Sequence, residues 1–265
     1  MVGRWIDCTL PPVAYIGVNM LTLEPFYRAT LGKAPPAVPL TGDALIESVA
    51  THWWSARYID TLWTDAGRTD QVDADDDVIW VMDDKKASAN LIAVSGSNTG
   101  IYKTSQINGH STIRSDDSAS ELQNSTQIDN PFYCLVLGRQ YISDSVWVVA
   151  GSTNGSYTGL YRFTTKLKLY GGGGTAEVAP TFDTSPHYLE AYVAGASSHL
   201  IYDDTSSGTI DIGSHQNTGW QVFRLFDGGW CGAFEFTDMV ILPGSVSAEN
   251  LAAIKLHLEK LGGIA

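Results

Sequence analysis

From Thr61 to its end the chain is written in short apolar or alternating runs, each closed by Gly, Asn, Asp or Ser. "DVIWVMDD", "FYCLVLG", "SVWVVAGS", "GLYRFTTKLKLYG", "HYLEAYVAG", "SHLIYDD", "GWQVFRLFDG" and "AFEFTDMVIL" each have the length of an ordinary strand, with turn signals between them. Strands in that number without intervening helices cannot build a parallel βαβ sheet. They predict an all-β chain folded as an antiparallel β-sandwich or jelly roll.

One segment departs from the pattern. After the last strand-like run and a Pro243-Gly244 turn, Leu251, Ile254, Leu258 and Leu261 recur at spacings of three and four, which is one face of an α-helix. Ser247 is the expected N-cap, Glu249 sits where the helix dipole favours negative charge, and Gly262 with Gly263 supplies the stop. A lone helix of this length is not stable in water, so its apolar face must lie on the sandwich.

Residues 1–60 read differently. Six of the ten prolines fall within the first 39 residues, in "LPP", "LEPF" and "KAPPAVPL", followed by a helical candidate, "GDALIESVATHWWSARYI". Proline removes a backbone donor and blocks regular pairing, while Trp5, Tyr15, Phe26, Tyr27, Trp53 and Trp54 are too many aromatics for a free disordered tail. The expected organisation is a Pro-rich docking arm over 1–60, packed on a partner or on its own domain, and one sandwich domain over 61–265. At 265 residues the chain can bury a substantial core.

The formal charge of −13, with 29 acidic against 16 basic residues, repels a phosphate backbone and argues against nucleic-acid binding. No run approaches the ~20 apolar residues that span a bilayer, so membrane insertion is not expected, and the N-terminus lacks the basic and apolar regions of a signal peptide. Cys8, Cys134 and Cys231 are too few for a disulfide framework and show no zinc spacing. Cys134 and Cys231 lie in strand-like runs and are expected to be buried free thiols.

Few residues carry a chemical signal. Glu235 and Asp238 are the nearest thing to a glycosidase carboxylate pair, but an odd separation puts them on opposite faces of a regular strand, so they cannot flank one bond. No catalytic residue is therefore assigned. Asp73 to Asp77 begin like a calcium loop, yet Val78 stands where the loop requires Gly. Asp203 and Asp204, near a loop rim, are the remaining metal candidates, with calcium as the cofactor they would hold. The histidines His52, His110, His187, His199, His215 and His257 show no paired metal spacing. Trp220 and Trp230 flank "QVFRLFDGG" and are the candidate ligand-binding residues, able to stack on a sugar ring if exposed. "YGGGGT", Tyr170 to Thr175, is expected to be a flexible loop; it lacks the surroundings of a phosphate-binding loop.

Several blocks resemble a known family. "LWTDAGRTDQVDADDDVIWVMDDKKASANL", with Val78, Trp80, Asp83 or Asp84, Asn90 and Leu91, "INGHSTIRSDD" and "LEAYVAGASSHLIYDDTSSGTIDIGSH" resemble successive elements of laminin G-like, concanavalin A-like jelly rolls. "GAFEFTDMVILPGSVSAENLAAIKLHLEKLGG" resembles the strand and helix that close such domains in tailed-phage virion proteins and bacterial surface proteins. The resemblance covers residues 61–265. It implies a non-enzymatic virion component of a tail fibre, baseplate or head, made in the host cytoplasm and present in symmetric copies. Its arm would bind other virion proteins and its jelly roll would face outward, where a host-surface glycan is a further partner. The alternatives are a bacterial surface or secreted glycan-binding domain and, third, a sandwich glycosidase.

Overall fold

The computed structural model of the chain describes residues 39–264 apart from 97–98, 116–119, 143–146, 152–157, 215–218 and 226–229. Two nine-stranded sheets face each other. The first runs β16 (Thr205–Ser206), β15 (His199–Tyr202), β14 (His187–Val193), β9 (Phe132–Gln140), β20 (Phe234–Pro243), β7 (His110–Arg114), β6 (Gly100–Ile107) and β3 (Val78–Ile79), and β1 (His52–Ser55) also pairs with β20. The second runs β13 (Thr175–Val178), β12 (Lys166–Tyr170), β11 (Gly159–Phe163), β10 (Trp147–Gly151), β17 (Trp220–Val222), β8 (Leu122–Asn124), β5 (Leu91–Ala93), β4 (Val81–Met82) and β2 (Leu62–Trp63). A small ribbon joins β18 (Arg224–Leu225) to β19 (Trp230–Cys231). Every pairing between these strands is antiparallel, as the turn-punctuated sequence predicts.

Alternation along the strands sorts side chains between two cores. Phe132, Cys134 and Val136 of β9 and Phe234, Phe236, Met239 and Ile241 of β20 point between the sheets, toward Leu160, Leu167, Leu169, Trp220 and Val222. Leu135, Leu137, Val240 and Leu242 point the other way, where α1 (Gly42–Val49) and α2 (Ala248–Gly262) cover them. Helix α2 is the expected closing helix. Ser247 accepts from the Asn250 amide, Gly263 takes a left-handed conformation at the stop, Ile254 and Leu258 are buried, and Leu251 and Leu261 pack partly buried beside them. The Asn108-Gly109 hairpin between β6 and β7 adds a second stop, because Asn108 Nδ2 donates to the Leu261 carbonyl at 3.1 Å.

The compact unit that holds the two sheets begins at Leu40, so residues 40–60 pack with the strands that follow them. Only Gly42–Val49 of the helical candidate is helical; His52–Ser55 is a strand whose Trp54 faces the inter-sheet core while Trp53 faces the helices. The rest of the expected arm, residues 1–38, lies outside the described residues. Polar bonds hold the junction together. Asp43 of α1 accepts from Arg57 Nη1 and Nη2 at 2.9 and 2.8 Å, from Tyr58 Oη at 2.5 Å and from His257 Nε2 of α2 at 2.8 Å. Burial would raise the Asp43 carboxyl, but the His257, Arg57 and Tyr58 donors outweigh it and hold it well below the usual carboxylate range.

"YGGGGT" is not a floppy loop. Gly173 and Gly174 both donate backbone hydrogen bonds to the Ile212 carbonyl, and a Cβ on Gly174 would stand 2.2 Å from the Asp211 carbonyl oxygen. These glycines allow two backbones to touch. Cys134 is a buried free thiol, while the Cys231 side chain lies outside the described residues.

Candidate functional site: paired clefts on one rim

Register brings one end of the first sheet together. Phe132 stands opposite Val193 on one side and Pro243 on the other, and His52 stands opposite Ile241. The segments leading into β9 and β1 and those leaving β14 and β20 therefore gather at a single rim. Asn130 and Pro131 form a ridge there between two clefts. The first, about 410 Å³, is lined by Asn130, Pro131, Tyr192, Ala194, Gly195, Ser197 and Ser214. The second, about 380 Å³, lies between the ridge and Thr51, Gln127, Asp129, Gly244 and Ser245. Both volumes are in the range of ordinary small-ligand pockets.

Local backbone chemistry fixes both walls. Gly244 donates to the Pro131 carbonyl at 2.8 Å, and a Cβ on Gly244 would meet the Pro131 ring at 2.5 Å, so only glycine lets this turn lie against the ridge. Across the first cleft, Ser198 Oγ accepts from the Ala194 amide and donates to the Gly195 carbonyl. Ile210 donates to the Ser198 carbonyl and Ile212 to that of Gly195, lacing the turn to the segment that carries Ser214.

Beside the first cleft, three neighbouring strands present a row of rings on the helix-side face. Tyr192 of β14 is opposite Tyr133 of β9 and His199 of β15. Tyr133 and Tyr192 stack at 4.3 Å between centroids, and His199 tilts against Tyr192 at 5.3 Å. All three are half-buried. Glu190 sits behind them and accepts from His199 Nε2 at 3.0 Å and Tyr188 Oη at 2.8 Å. Burial, with Tyr192 and Glu190 nearby, pushes the Tyr133 hydroxyl up from its ordinary value. Phenol, imidazole, amide and hydroxyl groups around a partly apolar cleft suit recognition of a polyhydroxylated ligand.

The residues singled out in the sequence go elsewhere. Trp220 is 2% exposed, wedged edge-on against Phe132 with Nε1 directed at Met239 Sδ, so it cannot stack on a sugar. Trp230 belongs to β19, and its side chain lies outside the described residues. Asp203 accepts from His187 Nδ1 at 2.7 Å and from the Tyr188 amide at 2.9 Å, and so serves a turn; Asp204 is exposed beside it. Among the described residues no three His, Cys, Asp or Glu side chains gather as metal ligands. Asp77 Oδ2 accepts from the Asp73 and Ala74 amides, while Asp75 and Asp76 pair with Lys103, so the acidic run is a structural turn.

Glu235 and Asp238 overturn the face argument but not its conclusion. A register shift in β20 between Phe236 and Asp238 breaks strict alternation. Glu235 pairs with Arg114 and Arg139, Asp238 accepts from Arg57 and from Trp53 Nε1, and both carboxylates thus lie on the helix-side face. Both are wholly buried and held by these donors, out of reach of a glycosidic oxygen.

No known family's sequence profile matches the chain, and no curated protein sequence matches it either. Its fold is similar to solved structures. An arabinofuranosidase complexed with arabinofuranosyl-α-1,2-xylobiose matches with a TM-score of 0.59 at 7% identity, over 84% of this chain and 65% of that one. A GH54 α-L-arabinofuranosidase variant soaked with 4-nitrophenyl α-L-arabinofuranoside matches at 0.57 and 8%, over 82% and 64%. The binding domain of botulinum neurotoxin serotype G matches at 0.50 and 10%, over 80% and 51%. The chain thus spans less than two thirds of each of these proteins. The likenesses support a β-sandwich. They also correct the expectation of a virion component, since the solved sandwiches it resembles here are glycosidases and a toxin binding domain.

Proposed function

We propose that the chain is a carbohydrate-binding β-sandwich that holds its ligand at the rim clefts without cleaving it. The observation that carries this reading is the pair of clefts astride Asn130 and Pro131, lined by hydroxyl, amide and backbone groups with Tyr192 at one wall. Glycoside hydrolysis in most families takes two carboxylates across the scissile bond, and among the described residues the two clefts together are lined by one, Asp129. The fold neighbours include two enzymes that act on or bind arabinofuranosides, which supports a sugar as the ligand class while leaving the chemistry to the site itself.

The test is titration calorimetry of the strongest binder from a glycan array. Tyr192→Ala should weaken it at least about tenfold, equivalent to ~1.4 kcal/mol, with the circular dichroism spectrum unchanged. Unchanged affinity would reject this site. Release of reducing sugar that Asp129→Asn abolishes would reject binding without cleavage.

A further inference from the structure

Resting on that reading, we infer that the ligand is an uncharged oligosaccharide lying across the Asn130-Pro131 ridge, with sugar units in both clefts, and neither a monosaccharide nor an acidic glycan. Two observations carry this. First, Asn130 and Pro131 line both clefts, so the clefts are neighbours across one narrow wall. Each is near the lower end of the volume that takes a drug-sized ligand, so each holds a short part of a glycan, and a longer one gains contacts on both sides. Joining two weak sites through one ligand raises affinity because the second contact becomes intramolecular.

Second, the charge around the site has one sign. Among the described residues, the first cleft is lined by uncharged groups and the second adds the Asp129 carboxylate. Glu190 lies behind Tyr192, and the chain as a whole carries −13. Among the described residues no lysine or arginine lines either cleft to receive a carboxylate or sulfate, so an acidic sugar would meet repulsion without a compensating partner there.

An array carrying mono- to hexasaccharide series of xylose, arabinose, glucose, mannose, galactose and N-acetylglucosamine, with sialylated and sulfated counterparts, tests this on the full chain. Neutral oligomers of one series should bind at least about tenfold more tightly than their monomer, and acidic counterparts more weakly. Ser197 and Ser245 are exposed residues, one in each cleft, so Ser197→Trp and Ser245→Trp fill one cleft at a time without touching the core. Either should abolish the gain with length. Equal affinity for monomer and oligomer, still lost in Tyr192→Ala, would overturn the spanning ligand and leave the binding function standing. Preference for acidic glycans would overturn the charge argument. Binding to none of the series would overturn both.

Discussion

His187 lies between two carboxylates. Its Nδ1 donates to Asp203 at 2.7 Å and its Nε2 to Asp183 at 3.1 Å, with the Tyr202 ring tilted against it at 4.5 Å. Burial favours the neutral imidazole, but the hydrogen bonds and charges of Asp203 and Asp183 outweigh it and raise the pKa above the ordinary value. A group raised in the folded state adds stability that is complete below its unfolded value of about 6.5 and is lost as pH rises through the higher folded value. The melting temperature of the native chain should therefore exceed that of His187→Gln by more in mildly acidic than in alkaline buffer. A pH-independent difference would show that His187 acts by packing alone. The same pair shows the limit of residue-level reading. Asp203 looked like a free rim carboxylate because its partner, sixteen positions back, is brought beside it only by the β14–β15 hairpin. Trp220 looked available for stacking, yet strand alternation turns it inward.

Legibility at the scale of elements follows how local each signal is. Helix α2 was readable because cap, apolar face and stop all lie within one stretch, Ser247 to Gly263. Ile254 is completely buried, so Ile254→Ala should cost about 2–5 kcal/mol, a large share of a domain's net stability. Lys255→Ala should cost less, since Lys255 is half-exposed and makes a 3.5 Å pair to Glu259, a 3.9 Å approach to exposed Asp204 and a 5.3 Å cation–π contact with the Tyr188 ring, each of which contributes about 1 kcal/mol or less. Equal losses in chemical denaturation would mean that the helix does not pack by this face. The irregularity in β20 was not readable. It falls where the strand's outer neighbour changes from β7, opposite Glu235 and Phe236, to β1, opposite Asp238 to Ile241, and that handover joins segments far apart in sequence. Strand β1 escaped notice for the same reason. Its four residues have no periodic context, and its pairing partner is some 185 residues away.

For the whole molecule, the alternating runs were enough to predict an antiparallel sandwich, because pattern and turn chemistry agree along the entire domain. The rim site was not, because its parts come from 127–131, 192–198, 214 and 243–245, and none of these stretches carries a ligand-binding motif of its own. Near that rim Gly171, Gly173 and Gly174 let the backbone of residues 211–213 approach closely, where the sequence alone suggests a flexible loop. Ligand binding at this rim is measured directly by backbone hydrogen exchange with and without the strongest-binding neutral oligosaccharide. Protection should rise in 126–133, 192–199 and 243–246 and stay unchanged in β11 and β12 on the opposite sheet; protection confined to that opposite sheet, or none anywhere under saturating ligand, would contradict it.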